Sequence, residues 1–321
     1  MGKIGKYMNM RMIAARKVSK ITGKSVFYHF WDCIYCNIAY GCRCYQYSDM
    51  GFYQFPSYER ARIMTSGHLQ KASRLNDAGK LHFFDQKSEF DKAFDKFVCR
   101  AWFNCYTANA DQIAAFLSQY NVVIVKPNKG EAGISVRKID ASRVDIVACA
   151  QSLAGKNVVM EECVVQHPAL SFGSKSVNTI RIATMVDRDG NGHILKASFR
   201  CGIGNSVVDN WSAGGVAYPV NLDYGCIESY GFQTNSMAVQ VYVHPGTETF
   251  MIGQKIPFWE DVKSMVLEAC RVFPSVRYVG WDVAITSNGP LIIEGNPGPG
   301  FATLEGIGLT RGVYGMICDL K

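Results

Sequence analysis

The stretch that most restricts the fold of this chain is GWDVAITSNGPLIIEGNPGPG, from Gly280 to Gly300. Two runs of aliphatic and β-branched residues flank a Ser-Asn-Gly turn, a pattern typical of a β-hairpin. Asp282 lies near the start of the first run, and Glu294 and Asn296 lie at the end of the second. The fold must therefore place three oxygen-bearing side chains at one end of two otherwise apolar strands.

The length of the turn decides whether these side chains meet. A two-residue Asn288-Gly289 turn would point Glu294 away from Asp282, because successive side chains of a strand alternate between its faces. A three-residue turn over 287–289 sets the two carboxylates opposite each other, with Asn296 on the same face, and we predict this turn. Adjacent carboxylates repel unless a proton or a cation lies between them, and ligands that are all oxygen suit Mg²⁺. The hairpin predicts a magnesium site; a solvated polar face is the alternative.

Composition and charge narrow the class of protein. The 321 residues are 48% hydrophobic and 19% charged, which allows a sizeable core. The net charge of +7 equals the seven Lys and Arg of residues 1–24, a segment without acidic residues, so the rest of the chain is balanced. Nucleic-acid binding by the rest of the chain, residues 25–321, is therefore not predicted. The basic start fits either a solvated helix or a patch that contacts anionic lipid.

The twelve cysteines indicate a reducing environment, because their spacing is irregular and several lie in apolar runs. We expect a cytoplasmic protein, with membrane association through residues 1–24 as an open alternative. Cys33, Cys36, Cys42 and Cys44 are close together, but their spacing fits a zinc ribbon poorly. The apolar stretch 25–42 is too short and too polar to span a membrane, and it predicts a buried helix.

The spacing of apolar residues changes along the chain, from a pattern typical of helices to one that includes strands. Residues 1–78 predict a helical region, and 79–321 predict a domain of helices and mostly antiparallel strands, so the fold class is α+β. Helices are predicted over Asp85–Phe103, Ala110–Tyr120 and Phe258–Phe273. Strands are predicted, besides the hairpin, over Asn121–Pro127, Gly133–Ile139, Asn157–Val165, Thr179–Asp187 and Gly192–Gly202.

Four further patterns suggest a ligand site, each with a structural alternative. Lys126 ends an apolar strand before a loop with Gly130 and Gly133, which favours a phosphate loop or, equally, a solvated hairpin. Glu161 and Glu162 interrupt an apolar run, as a nucleotide-binding hinge or an edge strand would. Other polar residues of the apolar strands are Asn178, Arg181, Lys196 and Arg200, which suit an anionic ligand or structural ion pairs. The loop 202–215 carries Asp209 and Asn210 between glycines, as a flap or an ordinary surface loop would.

Taken in order, these motifs resemble the ATP-grasp superfamily. More narrowly, SVNTIRIAT, VDN…GG and GWDVAI…GPLIIEGNPGPG resemble the ATP-grasp family associated with sugar transfer. The resemblance implies two α+β subdomains that grip ATP, and we assign 79–165 to the first and 166–321 to the second. Gly280 departs from the family pattern, which often has an arginine two residues before the metal-binding aspartate.

The resemblance also implies roles for individual residues. The implied ATP-binding residues are Lys87, Lys126, Gly130, Gly133, Glu161, Glu162, Val164, Gln166 and His167. The implied metal ligands are Asp282, Glu294 and Asn296. The implied contacts to the γ-phosphate or an acyl phosphate are Arg181 and Arg200. The implied substrate-side residues are Asn178, Asp209, Asn210, Gly214 and Gly215.

The resulting functional hypothesis is an ATP- and Mg²⁺-dependent ligase that joins a carboxylate to an amine. The resemblance implies small-molecule or saccharide substrates, such as a sugar acid or an amino acid used in a bacterial surface polysaccharide. A kinase that transfers phosphate to a hydroxyl and a nucleotide-binding module without catalysis are the two alternatives.

Overall fold

The computed structural model describes residues 3–130, 135–173, 177–202, 215–233, 236–299 and 312–321. Its helices are α1 Lys3–Thr22, α2 Val26–Tyr40, α3 Cys44–Ser48, α4 Ser57–Arg60, α5 Ser66–Ser73, α6 His82–Asp85, α7 Lys87–Ala93, α8 Asp95–Val98, α9 Ala110–Gln119, α10 Ile146–Leu153, α11 Pro168–Ser171, α12 Trp259–Ala269 and α13 Val313–Asp319. Its strands are β1 Trp102–Asn104, β2 Val122–Pro127, β3 Arg137–Asp140, β4 Val158–Glu162, β5 Thr179–Val186, β6 Gly192–Cys201, β7 Val216–Asn221, β8 Cys226–Ile227, β9 Gly231–Gln233, β10 Ser236–Val241, β11 Tyr278–Thr286 and β12 Gly289–Pro297.

The first part of the chain is helical, as predicted. Helices α1 and α2 form a hairpin, and the hydroxyl of Ser25 caps α2 by accepting a hydrogen bond from the Tyr28 amide. Gly41 ends α2 at a φ of 65°, a conformation that costs glycine least. The hairpin shares a small apolar core with α3 and the turn that follows, in which Cys33, Cys36 and Cys42 are buried as free thiols.

A buried ion pair ties this hairpin to α4. Arg60 donates to both carboxylate oxygens of Asp32, at 2.8 Å and 3.0 Å, and the Tyr47 hydroxyl donates to the same carboxylate. Burial raises the pKa of Asp32, but the hydrogen bonds from Arg60 and Tyr47 outweigh it and hold that pKa below its usual range. Polar as well as apolar contacts therefore hold α2, α3 and α4 together within the helical region.

The described strands form two antiparallel sheets. The smaller has the order β1-β4-β2-β3, and α9 and α10 pack on it through Ile113, Leu117 and Leu153. The larger has the order β10-β9-β7-β6-β5-β11-β12, with β8 paired to β7. The central strands β5 and β11 are buried on both faces, because α12 and the phenylalanines of α6–α8 cover one face while α5 and α13 cover the other.

The predicted helix over Asp85–Phe103 is wrong as a single element. It consists of α6, α7, α8 and strand β1, with breaks at Gln86, Phe94 and Cys99. Gln86 forms a β-bridge with Lys129, and Cys99 has a φ of 46°, so both residues leave the helical conformation. Tertiary pairing with the loop after β2 therefore overrides the helical period of the phenylalanines.

The predicted three-residue turn of the hairpin is also wrong, although the predicted facing of its carboxylates is confirmed. Thr286 pairs with Gly289, so the turn has two residues, Ser287 and Asn288. Val283 pairs with Ile292, yet Asp282 pairs with Glu294, and this shift makes Ile293 the extra residue of a β-bulge. The bulge restores the alignment that the shorter turn would have lost.

Candidate functional site

The two carboxylates lie on the face of the large sheet that also carries Tyr278, nearer to the hairpin turn. Tyr278 packs beneath α5 and α13. Asp282, two side chains further along the same face, forms ion pairs with Arg181 and Arg200. This division follows from the alternation of side chains along β11, whose other face carries Trp281 and Val283 into the main core.

Asp282 is held by two arginines. Arg181 lies opposite it on β5 and donates to both carboxylate oxygens, with Nη2 2.8 Å from Oδ2. Arg200, on β6, places Nη1 3.1 Å and 3.2 Å from the same two oxygens. Burial raises the pKa of Asp282, but Arg181 and Arg200 outweigh it and lower the pKa to about 2. Asp282 is therefore ionised, and both predicted arginines meet at it.

Glu294 is the carboxylate beside Asp282. Burial and then the charge of Asp282 raise its pKa, and the Asn296 amide donates to its Oε1 at 3.1 Å. A second carboxylate at close range has this effect, because it disfavours a further negative charge. Two carboxylates and an amide oxygen are a ligand set that a hard divalent cation prefers, so the residues fit Mg²⁺.

The structure gives a reason for glycine at position 280. A Cβ atom there would lie 2.4 Å from Cβ of Pro299 and 3.2 Å from Cδ of Arg181. Pro299, which follows β12, and the side chain of Arg181 thus take the space that a side chain at 280 would need. In this structure the arginines that reach Asp282 come from β5 and β6 and not from position 280.

The predicted phosphate lysines approach each other from different elements. The ammonium group of Lys87, at the start of α7, donates to the carbonyl of Gly130 at 2.9 Å, and Asn128 accepts hydrogen bonds from the amides of Lys87 and Ser88. Burial lowers the pKa of Lys87, and Glu294 opposes this by raising it. Lys87 therefore contacts the loop at Gly130 and is within electrostatic range of Glu294 and of the positive charge of Lys126.

Glu161 binds Lys126 on the neighbouring strand. Its Oε2 accepts from Nζ of Lys126 at 2.7 Å and from Nε of Arg100 at 2.9 Å. Burial raises the pKa of Glu161, but Arg100 and Lys126 outweigh it and lower the pKa to about 2. Its carboxylate therefore positions Lys126 in this structure; the implied role of Glu161 in the adenine hinge stays a prediction.

Arg100 is the residue of this site that the sequence analysis missed. Its side chain is 2% exposed and bridges the two sheets. Besides Glu161, it donates to Asp91 at 3.2 Å and to the carbonyl of Ile292 at 2.8 Å. Strand β12 is an edge strand, so this carbonyl has no strand partner on that side and accepts from Arg100 instead. A lone arginine between apolar residues, as in FVCRAWF, was the available signal.

The segment after β4 leaves the smaller sheet at the position where the adenine and ribose of ATP are predicted to bind. Glu162 accepts a hydrogen bond from the Ala101 amide, while Val164 lies in irregular backbone. The side-chain amide of Gln166 donates to the carbonyl of Asn178 and accepts from its amide, at 2.6 Å and 2.9 Å. His167 caps α11 by accepting from the Ala169 amide. Their nucleotide contacts remain predictions.

The predicted substrate side is described in part. Asn178 is buried, donates to the carbonyl of Leu170 and accepts from the Gly202 amide, so its side chain organises two backbone segments. Gly215 is buried directly before β7. Four predicted site residues, Gly133, Asp209, Asn210 and Gly214, lie outside the described residues.

Within the described ranges, no group of three or more His, Cys, Asp or Glu side chains is arranged to hold a metal ion, the cysteines of α2 and α3 included. Likewise, no helix in these ranges combines the length and apolar character that crossing a membrane requires.

A family described as sugar-transfer associated ATP-grasp matches residues 73–312. A search of curated proteins finds no match. Among solved structures, the chain is similar to the ATP-grasp ligase PsnB complexed with a minimal precursor, Mg and ADP, with 14% identity over 77% of this chain and 60% of that chain and a TM-score of 0.46.

Two further structures show the same level of similarity. The ADP complex of PurK, an N5-carboxyaminoimidazole ribonucleotide synthetase, matches at 12% identity over 79% of this chain and 57% of that chain, with a TM-score of 0.48. The D-cycloserine synthetase DcsG matches at 12% identity over 80% of this chain and 79% of that chain, with a TM-score of 0.45. The chain thus matches only about three fifths of the length of PsnB and PurK.

Proposed function

Because the chain belongs to the sugar-transfer associated ATP-grasp family, we propose that it is an ATP-dependent ligase that joins a carboxylate to an amine through an acyl phosphate. The observation that carries the proposal is the pairing of Asp282 with Glu294 across the bulged hairpin, with Lys87 within electrostatic range of Glu294. A pair of carboxylates, of which Asp282 is buried and Glu294 is partly buried, suits the phosphates and Mg²⁺ of a nucleotide when lysines lie beside it.

In this proposal the nucleotide phosphates lie between the two sheets. Lys87 and Lys126 bind them with fixed positive charge, and the Gly130 loop approaches them with its backbone. Asp282, Glu294 and Asn296 hold Mg²⁺, which when bound neutralises charge on the phosphate oxygens. The segment from Glu162 to His167 binds the adenine and ribose. All of these roles follow from the family resemblance and are supported by the clustering of the residues.

The chemistry then needs two transfers. A substrate carboxylate oxygen attacks the γ-phosphorus of ATP, the bond to the β-phosphate oxygen breaks, and ADP leaves. An amine next attacks the acyl carbon, phosphate leaves with the C–O bonding pair, and the nitrogen loses a proton to solvent. Arg181 and Arg200 stabilise the negative charge of the phosphoryl group in both transfers, because a planar guanidinium group matches the geometry of phosphate oxygens.

The substrate class follows from the family and not from the geometry of the site. Association with sugar transfer supports a sugar acid or an amino acid as the carboxylate, and a role in the biosynthesis of a bacterial surface polysaccharide. Asn178, Gly215 and the loop that precedes it are the residues we assign to the substrate side.

The first experiment measures ADP release from Mg²⁺-ATP with panels of sugar acids, amino acids and amines. With a correct carboxylate, hydroxylamine should intercept the acyl phosphate and give a hydroxamate. Phosphorylation of a hydroxyl without a hydroxamate would show a kinase instead. ATP binding without turnover on any substrate pair would favour a nucleotide-binding module, and absence of ATP binding by calorimetry would remove the proposal.

A matched pair of variants tests the carboxylate site. Glu294→Gln keeps the shape of the side chain but removes the charge, and we expect ADP release to fall at least about a hundredfold, as for loss of one group that stabilises transferring charge. Glu268→Gln makes the same change at an exposed glutamate of α12 and should leave the rate unchanged. Equal rates for the two variants would contradict the assignment.

A further inference from the structure

The exposed face of α2 carries large apolar side chains and no charge. Its members are Phe27, Tyr28, Trp31, Tyr35 and Ile38, which are between 50% and 79% exposed. Tyr28, Trp31, Tyr35 and Ile38 follow one another at spacings of three or four residues, and Phe27 precedes Trp31 by four, so all five lie along one side of the helix. The only charged residue of α2, Asp32, is turned away from this face toward Arg60.

This aromatic face is not needed to fold the hairpin. The opposite side of α2 already buries His29, Phe30, Cys33 and Cys36 against the rest of the helical region. Soluble proteins rarely leave a contiguous apolar patch of this kind uncovered, and such patches mark surfaces that bind a partner or a membrane. The face therefore requires an occupant outside the described residues.

One basic side chain contacts the aromatic face, and the neighbouring helix α1 carries others. Helix α1 runs antiparallel to α2 after the turn at Gly23, and its exposed residues include Lys6, Arg16 and Lys20, with no acidic residue in the helix. The ammonium group of Lys24 lies 4.7 Å from the centre of the Tyr28 ring. Positive charge therefore reaches the edge of the apolar surface.

We propose that the aromatic face of α2, with the basic residues of α1, docks on an anionic lipid surface. Tryptophan and tyrosine are the side chains that favour the membrane interface, and lysines beside them bind anionic headgroups. At 15 residues, α2 is shorter than the about 20 residues that span a bilayer, so it would lie in the interface plane. The proposal does not depend on the ligase chemistry.

A second copy of this chain fits the same face less well. A symmetric dimer brings each patch against its own copy, so the basic residues that border one aromatic face would meet those that border the other. An anionic surface would neutralise the same charges. Charge complementarity therefore selects lipid over self-association.

The test is co-sedimentation of the full-length protein with vesicles of phosphatidylcholine, alone or mixed with phosphatidylglycerol. We expect binding to the mixed vesicles, weaker binding to phosphatidylcholine alone, and a loss of binding in high salt. Replacing Phe27 and Trp31 by serine together should reduce the bound-to-free ratio at least about tenfold, because two apolar side chains no longer enter the interface.

A control pair removes exposed aromatic residues from elsewhere. Tyr224→Ser with Phe250→Ser changes two exposed side chains outside the helical region and should leave vesicle binding unchanged. Both double variants should melt like the wild-type protein by circular dichroism, since they change exposed positions. The proposal is overturned if the wild-type protein does not bind anionic vesicles, or if the Phe27/Trp31 variant binds them as well as the wild-type protein does. It is also overturned if sedimentation analysis shows a dimer that this variant converts to a monomer.

Discussion

Arg100 provides the sharpest test of how the site is held together. Replacing it with methionine keeps a long side chain but removes the charge between Glu161 and Asp91 and the hydrogen bond to the carbonyl of Ile292. The three charged side chains are 2–4% exposed, so solvent screening does not reduce the loss. Removing one partner of such a buried pair costs about 3–5 kcal/mol. Typical total stabilities are about 5–15 kcal/mol, so the change is large.

The assay is urea unfolding followed by tryptophan fluorescence and circular dichroism. Arg62→Met is the matched control, because Arg62 makes a comparably short ion pair with Asp319, 2.7 Å, but both side chains are at least half exposed. We expect a clear loss of stability for Arg100→Met and little change for Arg62→Met, since exposed ion pairs contribute little.

A second change tests the reason for this loss. If the cost arises from a buried carboxylate without its cation, then adding Glu161→Gln to Arg100→Met should recover part of the stability, because a neutral amide needs no counter-ion. The reasoning is refuted if Arg100→Met unfolds at the same urea concentration as Arg62→Met. It is refuted equally if Glu161→Gln lowers the stability of the Arg100 variant further.

Three further predictions follow from individual contacts. Burial raises the pKa of Asp91 to about 7, partly offset by Arg100, so the native state keeps a proton that the unfolded chain releases above about pH 4. Stability should therefore fall from about pH 4 to about pH 7, and urea titrations should show a smaller fall for Asp91→Asn. Gly280→Ala should lower the melting temperature, because its Cβ would lie 2.4 Å from Pro299, whereas Gly246→Ala, with its nearest contact at 3.4 Å, should not. Asn178→Ala should cost about 1–3 kcal/mol in urea unfolding, because it leaves buried backbone groups without partners.

The sequence was sufficient to predict that Asp282 and Glu294 face each other but not how the backbone brings them together. The facing of Asp282 and Glu294 followed from the alternation of apolar side chains, and it holds in the structure. The turn length did not follow, because a longer turn and a short turn with a bulge align the same residues. Periodicity cannot distinguish the two, since both preserve the number of residues between the carboxylates.

The errors elsewhere arose where distant contacts override local preference. The phenylalanines of 85–103 recur at helical spacing, yet Gln86 pairs with Lys129 and ends α6. Arg100 was missed because its partners are far along the chain, 61 residues away at Glu161 and 192 away at Ile292. A single sequence holds no signal of such pairings beyond the cost of burying an arginine alone.

The two-residue turn and the bulge at Ile293 also bear on how related chains tolerate insertions and deletions. One residue gained in the turn and one lost before Glu294 would leave the carboxylates facing each other, whereas either change alone would alter their register. Such paired changes would be neutral together and harmful singly. An alignment that treats the turn as freely variable in length would therefore misplace Glu294 by one position.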